Sequence, residues 1–504
     1  MAASKEQKQY SAEQIMKLLS EKKSDFWVAE GRKRSLALFH EAAQRVPAYK
    51  DFLKKHKVDP KKVKTWDDFQ KYVPIMTKKD YLRQYPLEKL CWDGSLKKSL
   101  VFTATSGSTG EPFYFPRDEA LDFQSSVMHE MFLKSSGLDP KKSTLVVVCF
   151  GMGVWIGGLI TYQAFKLIAS RGYPLTILTP GVNKKEIYEA LKNIGGKFDQ
   201  VVLCGYPPFI KDIIDDAEGH GISWKKFDLR IVFAAEAFSE QFRKHIAKKT
   251  GIKNLHTKIT NIYGTADLGT MAQETPLSIL IRETALDEPQ VFQSIFKEIT
   301  RVPTLTQFNP LFINFEEVDK NIFCTGYSAL PLIRYALGDH GGVVSFKEME
   351  QALGNKKNSI VQTAQRLGFK NTVAELPFVY VYERDDLSTK LYGAIVYPEH
   401  IKNAVQHPTL GDFLTGKFTM ITQHDENQNQ FLEINTELRP GANLSENIKS
   451  TIHELVLESL LEKNAEYRNN HTMMPDKVMP KIVFWEYEHP LHFKPGAKQK
   501  WIKK

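Results

Sequence analysis

Cysteine is scarce in this chain of 504 residues, which contains only four, at positions 91, 149, 204 and 324. No two of them have the close spacing of a redox pair or a zinc knuckle, so neither a disulfide framework nor a zinc site is expected. An apolar signal core is also missing from the N-terminal segment MAASKEQKQYSAEQ. We therefore interpret the cysteines as reduced thiols and predict a cytoplasmic location.

A strong charge of one sign is absent as well, because the formal net charge of +9 is small for this length. No basic low-complexity arm, zinc-finger spacing or RNP-like aromatic strand indicates nucleic-acid binding. The positive excess suits an anionic small molecule as ligand. It also suits a solvated surface, or a basic surface that binds polyanions or membranes, and these alternatives stay open.

One uncharged stretch, residues 143–165, is long enough to span a bilayer. It divides, however, into the β-branched run TLVVVC, the glycine-rich run FGMGVWIGG and the run LITYQAFKLIA. This order predicts a buried strand, a loop and a helix, so no membrane span is expected.

The hydrophobic pattern predicts an α/β protein with two domains. Residues 1–95 have a helical pattern, and beyond them short apolar runs such as LVVVCF and FDQVVLCG alternate with helical runs such as KKEIYEALKNI. We predict a large N-terminal domain over residues 1–385, with a helical lead-in over 1–95 and mixed β-sheets. A small α+β C-terminal domain is predicted over 386–504, with the order strand, helix, hairpin, helix and strand.

Three short segments, far apart in the chain, carry the residue types that a nucleotide site needs. TSGSTGEP (105–112) is a loop of small and hydroxylated residues, whose backbone N–H groups can wrap a polyphosphate. NIYGTAD (261–267) combines an aromatic ring, a hydroxyl and a carboxylate, and PLIRYALGD (331–339) ends in a Gly-Asp pair that can accept hydrogen bonds from a ribose. Together they predict an ATP site, although the loop alone is also compatible with a surface turn.

These segments resemble those of the adenylate-forming acyl-CoA synthetase superfamily, most closely its phenylacetate–CoA ligase branch, which includes CapK-type proteins. The lead-in VPAYKDFLKKHKVDPKKVKTWDDFQKYVPIMTKKDYLRQYPL, the loop TSGSTGEP, the segment FAAEAFSEQFRKHI and the segment PLIRYALGD follow one another in the order of that family. The resemblance covers nearly the whole chain. It implies an AMP-forming acid–thiol ligase with the adenylate-forming fold, in which the small C-terminal domain is a mobile lid.

The resemblance also implies which residues bind ATP. Glu236 and Tyr263 would line the adenine, with Tyr263 stacked on it, while Gly264 belongs to the same motif and Thr265 would contact the α-phosphate. Asp339 would bind both ribose hydroxyls, and a turn aspartate is the alternative interpretation. The β- and γ-phosphates would be held by Ser106, Gly107, Ser108, Thr109 and Gly110.

Asp267 stands where the family has a glutamate as magnesium ligand, so the resemblance implies Mg²⁺ on a shorter carboxylate. The segment YERDDLSTKLYG resembles the family's hinge between the domains. Arg384 would contact the nucleotide and Asp386 would be the hinge residue, because Gly393 follows at the family's spacing. An alternative register would place Glu383 at the position of the arginine.

The C-terminal segment KPGAKQKWIKK resembles the segment that carries the family's catalytic lysine, which implies that role for Lys498. Lys500 is the rival position, and a solvated basic tail is the interpretation without catalysis. Phe150, Trp155 and Tyr206 fall in segments that flank the acyl pocket in relatives, which favours an apolar or aromatic acid. The same three side chains are also compatible with a purely structural place in the core.

The function implied by the resemblance is activation of an aryl or fatty acid with ATP and Mg²⁺, through an acyl-AMP, followed by transfer to CoA. Transfer to a protein thiol or an amine, and a nucleotide-binding protein without catalysis, are the alternatives. The expected partners are the carboxylic acid, ATP and CoA, with no nucleic acid and no membrane span. The sequence leaves open whether the chain is a monomer or a homodimer.

Overall fold

The structure is a computed structural model that describes residues 10–105, 112–296, 302–382, 388–493 and residue 502. It has the predicted α/β class, with a large mixed sheet and a small C-terminal sheet domain. Among these residues no helix combines the length and the apolar character that crossing a bilayer requires. The uncharged stretch 143–165 forms a strand, a loop and most of a helix, as predicted.

The helices begin where the sequence offers capping side chains. Ser11 accepts a hydrogen bond from the backbone N–H of Gln14, and Thr65 accepts one from the backbone N–H of Asp68, so both start a helix with a capping box.

The predicted helical lead-in contains the first five helices. In the described residues the helices are α1 Ala12–Glu21, α2 Ser24–Arg45, α3 Pro47–Lys55, α4 Trp66–Tyr72, α5 Leu87–Leu90, α6 Glu119–Ser135, α7 Ile156–Ala169, α8 Lys184–Asn193, α9 Pro207–Asp216, α10 Glu240–Thr250, α11 Leu255–Lys258, α12 Pro276–Asp287, α13 Pro289–Phe296, α14 Phe346–Leu353, α15 Lys356–Arg366, α16 Pro398–Val405, α17 Glu446–Lys463, α18 Ala465–Met473 and α19 Pro475–Val478.

The strands follow the apolar runs of the sequence. In the described residues they are β1 Val101–Ala104, β2 Tyr114–Arg117, β3 Thr144–Cys149, β4 Leu175–Leu178, β5 Gln200–Gly205, β6 Leu229–Ala234, β7 Ile259–Thr265, β8 Gly269–Gln273, β9 Thr304–Phe308, β10 Ile313–Val318, β11 Asn321–Gly326, β12 Leu332–Val344, β13 Phe378–Val381, β14 Thr389–Leu391, β15 Ala394–Val396, β16 Leu414–His424, β17 Gln430–Leu438 and β18 Lys481–Trp485.

Eleven of these strands form one sheet, in the order β10-β11-β12-β13-β9-β8-β7-β6-β5-β3-β4. Strands β3 to β7 are parallel to their neighbours, and from β7 onward the pairing is antiparallel. Every residue of β3 and β5 is buried. Strands covered on both faces carry continuous apolar runs, which is why TLVVVC and QVVLCG lack alternation.

Strand β12 changes its partner along its length. Its first part pairs with β11, and the part from Gly341 to Val344 pairs with β13. Gly341 is needed at this point, because a Cβ atom there would overlap the carbonyl oxygen of Tyr380. Asp339 lies two residues before Gly341, close to the point where β12 changes its partner.

The helical lead-in is attached to the same strand by Arg334. This side chain donates hydrogen bonds to the carbonyl oxygens of Gln70 and Val73, each at 2.7 Å, although it is itself nearly buried. Met76 adds backbone hydrogen bonds with Arg334 and Ala336 at 3.1 and 2.9 Å. The segment after Val73 is therefore held beside β12, and this brings Lys78 close to the carboxyl end of the sheet.

The small domain contains the predicted hairpin, β16 with β17, and the predicted strand β18, which is parallel to β17. Helix α17 also matches the prediction, whereas α18 was not predicted. Residues of the small domain pack into the same hydrophobic cluster as residues of the parallel strands. Tyr392, which follows β14, is a fully buried member of that cluster. The predicted domain boundary between residues 385 and 386 falls outside the described residues and stays a prediction.

A buried ionic cluster lies beneath β7. Arg243 is fully buried and pairs with Glu240 at 2.7 Å and with Glu274 at 2.8 Å, while Arg282 also pairs with Glu240. Burial by itself raises the pKa of Glu240, but the charges of Arg243 and Arg282 outweigh it and hold that pKa below its ordinary value. Glu274 accepts a hydrogen bond from the backbone N–H of Asn261 at 2.9 Å. The cluster thus connects helices α10 and α12 to the strand that carries NIYGTAD.

Replacing Arg243 with Met should lower the free energy of unfolding by ~3–5 kcal/mol, because two buried carboxylates would lose their shared cation. Lys244→Met is the matched control, since its side chain on the same helix is 63% exposed, and it should cost less than ~1 kcal/mol. Urea denaturation of both variants measures the difference. If both variants lost the same free energy of unfolding, the buried cluster would contribute no more to stability than an exposed side chain of the same helix.

Candidate functional site

A cavity of about 840 Å³ lies between the large sheet and the small domain. Its lining includes Phe150, Tyr206 and Ala234, which follow or end the parallel strands β3, β5 and β6. Residues at the carboxyl ends of parallel strands form the usual ligand site of open α/β sheets. The small domain supplies the other side of the cavity, where Gln430 and Glu466 belong to the lining.

Every described residue of the predicted site lines this cavity. The set consists of Glu236, Tyr263, Gly264, Thr265, Asp267, Asp339, Phe150, Trp155 and Tyr206. The other predicted residues lie outside the described residues and are Ser106, Gly107, Ser108, Thr109, Gly110, Arg384, Asp386 and Lys498. Thr105, the first residue of the predicted phosphate loop, and Phe113, which follows the loop, also line the cavity.

Tyr263 and Asp339 come from two of the predicted motifs and meet in the cavity. The Tyr263 hydroxyl donates a hydrogen bond to Oδ2 of Asp339 at 2.5 Å. The Tyr263 ring packs on Phe315, with the ring centroids 6.1 Å apart and the planes inclined by 28°. An aromatic ring is thereby held beside a buried carboxylate on the cavity wall.

Asp267 and Lys78 form the acidic and basic parts of the same wall. Thr265 accepts a hydrogen bond from the backbone N–H of Leu268 at 3.3 Å, and this closes the turn that contains Asp267. Asp267 is only 5% exposed, and its Oδ1 atom lies 3.5 Å from Nζ of Lys78. Lys78, whose ammonium group also lies 5.7 Å from the ring centre of Phe115, was missed from the sequence.

The sequence offers no signal that separates Lys78 from Lys79, because both belong to the run TKKD. The structure separates them: Lys78 lines the cavity together with Arg83, whereas Lys79 is exposed and outside it. The difference arises from the attachment of the lead-in to β12, which is a contact between distant parts of the chain.

The donor set around Asp267 is compatible with the Mg²⁺ ion that the sequence implies. Mg²⁺ is usually held by one or two carboxylates together with substrate phosphates and water. Asp267 provides one carboxylate on the cavity wall. Within the described residues no cluster of three or more histidine, cysteine, aspartate or glutamate side chains could hold a metal without such a substrate.

Glu236 binds to the small domain in this structure. Its carboxylate accepts a hydrogen bond from Nε2 of Gln430 at 2.7 Å and another from the backbone N–H of Gly393. Its carbonyl oxygen accepts one from Nδ2 of Asn261 at 2.9 Å, which ties it to β7. The preceding residue, Ala235, has a φ of 76°, a left-handed conformation that is uncommon without glycine and is found at functional sites.

Gly393 lets the small domain approach this closely. It has a φ of 85°, and a Cβ atom at this position would lie 2.5 Å from the ring of Tyr206. Any larger residue would separate the two domains at the cavity. A second contact lies nearby, where the buried carboxylate of Asp212 accepts a hydrogen bond from the Tyr392 hydroxyl at 3.0 Å and pairs with Lys477 at 3.1 Å.

Aromatic and aliphatic side chains form another part of the cavity wall. The rings of Phe150 and Tyr206 pack edge to face, 5.1 Å apart. Trp155 and Ile160 also line the cavity. His129, from α6, lines it as well and was not among the predicted residues, because a single histidine in a helix of mixed polar and apolar residues gives no signal of its surroundings.

Glu466 titrates abnormally at the contact between the domains. Its Oε1 atom lies 3.5 Å from the Tyr206 hydroxyl. Burial raises its pKa from 4.5 to about 8, and repulsion by Glu236 adds to this, while Tyr206 and Lys390 act in the opposite direction. Near neutral pH the Glu466 carboxyl is therefore mainly protonated in the folded protein.

The raised pKa of Glu466 predicts that the domain contact is strongest at low pH. An acid with a raised folded-state pKa stabilises the fold fully below its ordinary pKa of 4.5, and this contribution is lost as the pH rises to about 8. Melting temperature measured against pH should therefore decline through this window in the parent and decline less in Glu466→Gln. Glu462→Gln, at an exposed position, is the control and should follow the parent. Identical profiles for all three proteins would contradict the assignment.

No family model matches this sequence, and no curated protein matches it either. Its fold is similar to that of solved structures of 2-hydroxyisobutyryl-CoA ligase. The complex with 2-HIB-AMP and CoA in the thioesterification state has a TM-score of 0.61 at 15% identity, covering 94% of this chain and 90% of that one. The postadenylation state with 2-HIB-AMP has a TM-score of 0.50 at 14% identity, covering 94% and 87%. The chain therefore shares the fold of this ligase over most of both lengths.

Proposed function

We propose that this protein activates a carboxylic acid with ATP to form an acyl-AMP and pyrophosphate, and then transfers the acyl group to CoA. The observation that supports this proposal is the meeting of separate motifs in one cavity, above all the Tyr263–Asp339 hydrogen bond and the Asp267–Lys78 pair. The fold shared with a ligase that was solved with an acyl-AMP and CoA adds support. The acid itself is proposed to be aryl or fatty, as in phenylacetate–CoA ligase-like enzymes, because the cavity wall includes the apolar side chains of Phe150, Trp155 and Ile160.

In the first step a carboxylate oxygen attacks the α-phosphorus of ATP, and the bond from that phosphorus to the pyrophosphate oxygen breaks. Tyr263 would pack on the adenine and Asp339 would accept hydrogen bonds from the ribose. Lys78 would face the phosphates and neutralise part of their charge, which lowers the barrier by electrostatic stabilisation. Mg²⁺, held by Asp267 and phosphate oxygens, would supply further neutralisation of the phosphates.

Lys498 is the proposed catalytic lysine, with Lys500 as the rival position. Support comes from Ile502, which lines the cavity and forms a β-bridge with Met420 in the small domain. Ile502 follows Lys498 by four positions in the sequence. Asp386 is proposed as the hinge that lets the small domain move between the two steps. The 2-hydroxyisobutyryl-CoA ligase has been solved in postadenylation, thioesterification and open states, which supports such a movement here.

The direct test of the function is ATP–pyrophosphate exchange with a panel of aryl and fatty acids, followed by product analysis with and without CoA. We expect acid-dependent exchange, and Asp339→Ala should raise the Michaelis constant for ATP at least tenfold, because the ribose loses a charged acceptor. Asp319→Ala, at an exposed turn, is the control and should match the parent. Absence of exchange with every acid would contradict the proposed function, and an acyl-AMP that does not react with CoA would indicate another acceptor.

Lys78 can be tested by the same assay. Lys78→Ala should slow the exchange by ~10²-fold, as for the loss of one electrostatic contact in the transition state. Lys79→Ala should stay near the parent rate, because its side chain is exposed and outside the cavity. If both variants slow the reaction equally, the effect belongs to the general charge of the segment and not to the Asp267 pair.

A further inference from the structure

His129 places an unusual polar group in the cavity wall. It lies on α6, it is only 1% exposed, and it lines the cavity together with Phe150 and Ile160. The ring of Phe165 packs edge-on against it, with the centroids 5.2 Å apart. A histidine in such surroundings needs partners for both ring nitrogens.

The hydrogen bond at Nδ1 determines the state of the ring. Nδ1 lies 2.8 Å from the carbonyl oxygen of Ser125, and a carbonyl oxygen can only accept, so Nδ1 carries a hydrogen. Burial lowers the pKa of His129 to about 4, so the ring is neutral near neutral pH. Nε2 is therefore a hydrogen-bond acceptor with a bare lone pair.

That acceptor has no partner among the described residues. Nε2 of His129 is buried without a hydrogen bond, and so is the hydroxyl oxygen of Ser125, one helical turn earlier. The Ser125 hydroxyl lies next to the lining residue Gly269, because a Cβ atom built on Gly269 would be 3.5 Å from it. A buried polar group without a partner is unfavourable, so this face of α6 is suited to a ligand that supplies the missing hydrogen bond.

We propose that Nε2 of His129 accepts a hydrogen bond from a hydroxyl group on the acid, so that the substrate is an acid hydroxylated on its aryl or alkyl part. This proposal rests on the proposed function and names the class of its acid. A hydroxyl suits the site better than an ammonium group, because a buried cation would need a counter-charge. The adjacent Glu130 does not provide one, since it already pairs with Arg171 at 2.8 Å.

Pairs of acids that differ by one hydroxyl group test this proposal. The pairs are phenylacetate with its meta- and para-hydroxy derivatives, and octanoate with its terminally hydroxylated derivative. Their kcat/KM values in ATP–pyrophosphate exchange should favour the hydroxylated member of at least one pair by ~10-fold or more in the parent, because a site built around a buried acceptor rejects the analogue without the donor. His129→Phe should abolish that preference while still accepting the unhydroxylated acid.

Binding provides a readout that does not depend on catalysis. The acyl sulfamoyl adenosines of the same acids, which are unreactive mimics of an acyl-AMP, can be titrated by calorimetry into the parent, His129→Phe and His129→Gln. His129→Gln retains a polar acceptor and should keep part of the preference for the hydroxylated acid. If His129→Phe does not fold, the comparison of His129→Gln with the parent tests the proposal. Ser125→Ala is expected to change the preference less than His129→Phe.

The outcomes separate the two proposals. A hydroxyl preference in binding that depends on His129, together with no exchange for any acid, would support this inference and overturn the proposed function. Exchange with several acids but equal affinity for both members of every pair would overturn this inference alone. A preference that is unchanged in His129→Phe and His129→Gln would also overturn it, because the hydroxyl would then bind elsewhere.

Discussion

The buried cluster of Arg243, Glu240, Glu274 and Arg282 is the interaction on which the geometry of the cavity depends. Charges in a protein interior persist only when each has a partner, so the four side chains hold one another in a single arrangement. Through Glu274 and Asn261 that arrangement extends to the backbone of β7 and to the carbonyl oxygen of Glu236. The motif NIYGTAD and the segment around Glu236 are therefore positioned by charged side chains that do not line the cavity.

The cavity itself is shared between two parts of the chain. Glu236 is anchored in the large sheet, yet its carboxylate binds Gln430 and Gly393 of the small domain, and Tyr206 approaches Glu466 in the same region. Burial raises the pKa of Glu466 at this contact, and repulsion by the nearby carboxylate of Glu236 adds to the effect. A contact of this kind stabilises one arrangement of the domains only moderately, which is suited to the movement proposed for the reaction.

Much of the architecture could be predicted from the sequence. The runs TLVVVC and QVVLCG became the buried strands β3 and β5, and the hairpin of the small domain lies where it was predicted. Helix α18 was missed, because its polar and aromatic residues give no clear helical periodicity, although it supplies Glu466 to the cavity. The described residues of the predicted site all line one cavity, because most of them belong to short motifs whose residue types could be read from the sequence.

The sequence by itself determined the class of the fold and the chemical types at the site, because apolar periodicity and short motifs are local properties of the chain. Only the tertiary structure decided which of two adjacent lysines faces Asp267, and that Glu236 contacts the small domain. It also decided that His129 lines the cavity with one ring nitrogen unpaired among the described residues. These are distances between residues far apart in sequence, and they depend on how helices pack on a sheet, which no local pattern encodes.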